Sequence, residues 1–91
     1  MSKRIFIAFA SEDAYARDFL VGQAKKHDSP FEWTDMSVKE PYAEEWRNKV
    51  RSKIRGCDGV IATLSKNSLN ASGQLFEIQT AIDEQVPLIG I

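Results

Sequence analysis

The chain has 91 residues, and twelve Lys and Arg stand against thirteen Asp and Glu, for a formal net charge of −1. A charge this balanced is not that of a dedicated nucleic-acid binder, and no apolar run approaches the ~20 residues of a transmembrane helix. The single Cys57 excludes an internal disulfide and, with the single His27, argues against a zinc site of His and Cys ligands.

Arg4-Ile5-Phe6-Ile7-Ala8-Phe9-Ala10 is a near-continuous apolar run without alternation, which predicts a strand buried on both faces of a parallel sheet. Ser11, Glu12 and Asp13 follow, suited to the start of a helix by capping and by the helix dipole. Ala16, Phe19, Leu20 and Ala24 then recur at helical spacing, so residues 13 to 26 read as an amphipathic helix. Asp28-Ser29-Pro30 breaks it, and Phe31-Glu32-Trp33-Thr34 is a short second strand. Residues 35–42 hold no periodic pattern and read as a loop. Residues 43–55 form a second helix with Trp46, Val50 and Ile54 on one stripe, and Gly56 suits its end. Residues 60–64 are a third buried strand and residues 65–72 a polar loop. Residues 73–84 are a third helix, with Leu75, Ile78, Ala81 and Ile82 predicted inward, and residues 86–91 a fourth strand.

Strands alternating with helices imply right-handed crossovers and an α/β fold. The expectation is a flavodoxin-like, three-layer domain with a parallel sheet in the order 2-1-3-4, covered on both faces. A doubly wound sheet of this kind continues with a further helix and strand. Here Leu88-Ile89-Gly90-Ile91 would leave a hydrophobic edge. The expectation is therefore a single domain over residues 1–91 that is a truncated piece, or one whose edge a partner covers. Met1-Ser2-Lys3-Arg4 leads into no small-residue cleavage site, so no signal peptide is expected and the expected location is cytoplasmic.

In open parallel sheets, ligands bind beyond the carboxyl ends of the strands. That rule selects the turn at Phe9, Ala10 and Ser11, the 35–42 loop, the 65–72 loop and the start of the third helix. Glu77 falls in the last, next to Ile78 of the predicted buried stripe and four residues after Gly73, which leaves space above the carboxylate. Such a carboxylate can stabilise positive charge at an anomeric carbon, or attack it. Acids are also common in a helix's first turns because the dipole favours them. Neither G-x-G-x-x-G nor a P-loop occurs, although a pyrophosphate could rest on backbone amides near Ser11. Arg47, Lys49, Arg51, Lys53 and Arg55 read as a solvated row, with Arg47, nearest the 35–42 loop, as the candidate for anion contact. Trp33, Trp46 and Cys57 read as core residues, and Tyr42 as a loop aromatic able to stack on a base. His27 has no Ser or Cys partner for a triad.

The run from Arg4 to Asp13 resembles the opening strand and turn of TIR domains. Ser37-Val38-Lys39-Glu40-Pro41-Tyr42, Arg55-Gly56-Cys57-Asp58-Gly59-Val60-Ile61 and Ser65-Lys66-Asn67 resemble the bacterial TIR-like group that includes the TIR component of Thoeris antiphage defence. Phe76-Glu77-Ile78-Gln79-Thr80-Ala81-Ile82, followed by Val86-Pro87-Leu88-Ile89, resembles the segment in which TIR NADases carry their catalytic glutamate. The resemblance implies cleavage of the nicotinamide–ribose bond of NAD, with NAD as substrate and no other cofactor or metal, and release of ADP-ribose or a cyclic isomer as a signal to a partner effector. Glu77 matches the catalytic position. Phe9, Ala10 and Ser11 match the turn lining the nucleotide pocket. Asp35, Ser37 and Tyr42 lie in the matching gating loop, through which self-association is also implied. Some TIR NADases place arginines just after the first strand, where this chain has Ala10 and Ser11. Neither a nucleic acid nor a membrane is an expected partner.

Two other readings stand beside this one. Asp58-Gly59-Val60-Ile61-Ala62-Thr63-Leu64, Gly73-Gln74-Leu75-Phe76-Glu77-Ile78 and Pro87-Leu88-Ile89-Gly90-Ile91 also look like nucleoside 2-deoxyribosyltransferases, whose glutamate nucleophile follows a glycine by four residues. Gln74 stands where that family prefers Thr, and Asn70 where it has an acid. Many TIR domains, in turn, only assemble with others, so a non-catalytic interaction module is the third reading.

Overall fold

The apolar run near the start of the chain forms a central strand. In the computed structural model, which describes residues 3–26, 31–36 and 39–91, β1 (Lys3–Phe9) lies between β2 (Phe31–Thr34) and β3 (Gly59–Thr63), and β4 (Leu88–Gly90) extends the sheet beyond β3. All pairs are parallel: Ile5 stands opposite Trp33 and Gly59, Ile7 opposite Ile61, and Ile61 opposite Ile89. The crossovers are α1 (Ala14–Lys26), α2 (Glu44–Arg55) and α3 (Ser72–Asp83). Among the described residues this is an α/β domain with a four-stranded parallel sheet of order 2-1-3-4 and three helices, consistent with a flavodoxin-like fold. No helix among the described residues is long and apolar enough to cross a membrane.

Strand register sorts side chains between the two faces. Phe6, Ala8, Val60 and Ala62 share one face and pack with Trp46, Val50 and Ile54 of α2 and Ala81 of α3. Ile7 and Phe9 point to the other face, where α1 runs along β1, and both are buried. The α2 stripe is therefore the one its periodicity predicts. Its charges also fit its dipole, with Glu44 and Glu45 in the first turn and Lys53 and Arg55 in the last.

Three local expectations are corrected. Residues 11–13 form a separate 3-10 turn, with the Asp13 amide on Ala10 O at 2.8 Å, and α1 starts at Ala14. The Asp13 carboxylate accepts bonds from Ser65 Oγ and Asn67 Nδ2 across the sheet end. Phe19, predicted inward, is exposed. In α3 the buried face is Gly73, Gln74, Glu77, Thr80 and Ala81: of the predicted stripe Ala81 is buried and Ile78 packs partly buried against the core, while Leu75 and Ile82 are exposed. Polar side chains are admitted to that face because partners await them; Thr80 Oγ1, for example, donates to Phe76 O at 2.8 Å. Gln85, just past α3, has φ of 57°, the left-handed conformation that ends many helices. The side chain of Ala24, and His27, lie outside the described residues.

Candidate functional site

β1 is flanked by β2 on one side and β3 on the other, so the crevice between the carboxyl ends of β1 and β3 is the switch point of the sheet. Gln74 sits in that crevice, fully buried. Its Nε2 donates to Ala8 O at 3.0 Å and to Thr63 O at 2.8 Å, bridging the two strands where they part. Those two bonds fix the amide, and its Oε1 is left buried without a hydrogen-bond partner. Glu77 follows three residues later on the same helical face.

Glu77 is 0% exposed, and its Oε2 accepts a bond from Lys39 Nζ at 2.6 Å. The Lys39 side chain is itself only 6% exposed. The ammonium also lies 4.0 Å from the centroid of the Phe9 ring, a cation–π distance. One cation is thus held between a carboxylate and an aromatic face. Burial pushes the Glu77 carboxyl up to about 7, against the opposing pull of Lys39. Burial likewise lowers the pKa of the Lys39 ammonium, again against the pull of its partner. Both groups are thereby brought closer to their neutral forms than either would be in water. The second carboxylate oxygen, Oε1, is buried with no hydrogen-bond partner.

The space that Gly73 leaves is occupied by this lysine rather than open. A Cβ at position 73 would stand 3.1 Å from Lys39 Cβ, so a larger residue there would push the lysine stem away. A cavity of about 180 Å³ opens beside the pair, lined by Ser11, Lys39, Asn70, Gly73 and Gln74 among others. Glu77 is not among its lining residues, because Lys39 stands between the carboxylate and the cavity. The expectation of an open cleft above Glu77 is corrected accordingly: the cleft is present, and its floor is closed by an ion pair.

The other expected site residues divide. Phe9 belongs to the cation site, and Ser11 lines the cavity. Ala10 is buried, its carbonyl engaged by Asp13. Asp35 takes both oxygens to Arg17 Nη1 at 2.9 Å, which ties the start of the 35–42 loop to α1. Arg47 does not line the cavity; its Nε donates to Pro41 O at 2.6 Å and its guanidinium lies over Phe76, so it holds the loop's far end. Tyr42 points into solvent, 81% exposed. Ser37 lies outside the described residues. Trp46 and Cys57 are core residues as read, with the Cys57 thiol pushed up by burial.

Sequence reasoning missed Lys39 as the partner of Glu77, and Gln74 as the bridge between strands. The two ion-pair members are 38 positions apart, and the lysine lies in a loop with no periodicity, so no local pattern joins them. Among the described residues, no group of three His, Cys, Asp or Glu is placed to hold a metal ion. Comparison with family models and with curated proteins returns no match for this chain.

Proposed function

We propose that the chain cleaves the nicotinamide–ribose bond of NAD, with Glu77 as the group that stabilises the ribosyl cation. The observation that carries this reading is the cation site itself: a fully buried carboxylate and the Phe9 ring converge on one positive charge at the switch point of an α/β sheet. In this conformation the charge belongs to Lys39. In turnover Lys39 leaves the carboxylate, and the positive charge on the sugar takes its place. The C1′–N bond breaks with both electrons going to the nicotinamide nitrogen, which leaves neutral, so no general acid is needed. Water then adds to C1′ and releases a proton, giving ADP-ribose; attack by a nucleophile of the same molecule gives a cyclic isomer. The product would act in the cytoplasm as a signal to an effector, in line with the resemblance to antiphage TIR proteins.

The test is mass spectrometry of NAD incubated with the wild type and with Glu77→Gln. Nicotinamide and ADP-ribose, or its cyclic isomer, are expected from the wild type, with a loss on the order of 100- to 1000-fold in the variant. Equal turnover by a folded Glu77→Gln protein would remove Glu77 from the reaction. Base release from deoxynucleosides but not from NAD would favour the deoxyribosyltransferase reading. A second reading, a non-catalytic interaction module assembling through the 35–42 loop, is favoured by the closure of Glu77 behind Lys39. No turnover by wild type or by Lys39→Met would select it.

A further inference from the structure

Of the described lysine side chains, that of Lys39 alone is buried, while Lys3, Lys49, Lys53 and Lys66 are exposed. An ammonium in such a place is unusual, because burial penalises its charge. Three features surround it. Glu77 Oε2 lies 2.6 Å from Nζ, close enough to exchange a proton directly. The Phe9 ring, with its centroid 4.0 Å from Nζ, offers an aromatic face against which a cation can rest. The cavity of about 180 Å³ that Lys39 lines gives small solutes a way to it. At ~30 Å³ per water, that is room for about six waters or for one short-chain solute. Ser11, Asn70, Ser72 and Gln74 make its other walls polar, and among the described residues the only further charge lining it is Glu12.

We propose that Lys39 is a covalent carbonyl-binding site, whose amine forms an imine with a short, uncharged hydroxy-aldehyde held in the cavity. The ammonium first passes a proton to Glu77, which leaves a neutral amine beside a neutral carboxyl. The Nζ lone pair attacks the aldehyde carbon, the C=O π electrons move to oxygen, and a proton passes from nitrogen to that oxygen, giving a carbinolamine. Glu77 then returns its proton to the hydroxyl. The C–O bond breaks, water departs, and the nitrogen lone pair closes the C=N bond. The product is a protonated imine facing a carboxylate. The site therefore holds one positive and one negative charge before and after, in a place that already seats both. Burial favours the neutral amine that the attack needs, by lowering the Lys39 pKa. The hydroxyl and amide groups on the walls suit a hydroxylated substrate, and the Glu12 carboxylate disfavours an anionic one such as a 2-oxo acid. This activity goes beyond the cleavage of NAD and requires no NAD.

The test treats the whole chain at neutral pH with glyceraldehyde and sodium cyanoborohydride, which reduces an imine to a stable amine, and maps the adducts by peptide mass spectrometry. Lys39 is expected to be labelled at least about ten-fold faster than any exposed lysine, since each unit by which an amine pKa falls raises its neutral fraction about tenfold. Its rate is expected to saturate with glyceraldehyde concentration, as a complex formed before reaction requires, while the exposed lysines respond linearly. The saturable phase is expected to vanish in Lys39→Arg, and the wild-type adduct map decides even where that variant does not fold. With glyoxylate, an anionic aldehyde, the preference for Lys39 over the exposed lysines is expected to shrink. Adducts spread evenly over the lysines overturn the proposal, as do a Lys39 rate that rises linearly, a saturable phase that survives Lys39→Arg, or an undiminished preference with glyoxylate. NAD is absent throughout, so failure here leaves the part of Glu77 in NAD cleavage to its own assay.

Discussion

Replacing Glu77 by Gln and following stability against pH asks whether burial or ion pairing governs this carboxylate. In the folded protein its pKa rises from 4.5 to about 7, with burial as the largest cause. Between those two values the folded chain holds a proton that the unfolded chain has released. Raising the pH through that window therefore destabilises the fold, and lowering it stabilises the fold. At about 1.4 kcal/mol per pH unit, the span is worth about 3 kcal/mol, which for a domain of this size is a change in Tm of more than ~10 °C. The amide of the Glu77→Gln variant cannot take up the proton, so the difference between wild type and variant reports that proton together with the response of Lys39, whose ammonium loses its partner in the variant. Urea denaturation at half-unit steps from pH 4 to pH 8 should show wild type gaining on the variant as pH falls from 7 to 4.5, with a flat difference outside that window. A difference that is flat between 4.5 and 7, and that turns against the wild type below 4.5, would mean that Lys39 outweighs desolvation and holds the carboxyl low. Burial would then not draw the carboxyl toward its neutral form.

Lys39→Met removes the competing cation while keeping an aliphatic stem against Gly73. If the proposed reaction is right, KM for NAD falls several-fold in a nicotinamide-release assay, and an unchanged KM would show that Lys39 does not compete with substrate. Gln74→Met leaves the buried carbonyls of Ala8 and Thr63 without the donor they share. Unsatisfied buried groups of this kind cost about 1–3 kcal/mol each, so a loss of about 2–5 kcal/mol is expected in urea midpoints, and a loss under ~0.5 kcal/mol would show that the bridge contributes little.

What the amino-acid sequence determines here is what short-range periodicity can carry. The unbroken apolar run from Ile5 to Ala10 implies a strand covered on both faces, and Ile7 and Phe9 are buried opposite Phe6 and Ala8 as that pattern requires. Trp46, Val50 and Ile54 at helical spacing name the inner face of α2. The candidate carboxylate was legible too, because strand order and helix register place Glu77 near the switch crevice.

The tertiary structure decided what faces those patterns. Apolar spacing marks a face as able to be buried, without saying what will cover it: Phe19, Leu75 and Ile82 fit their stripes and remain exposed because no described element packs over them. Gln74 and Glu77 are the converse, polar residues buried because Ala8 O, Thr63 O and Lys39 Nζ meet them there. Hydrogen bonds and ion pairs depend on atoms a few ångströms apart in space, and the lysine that closes this site is drawn from a loop 38 residues away.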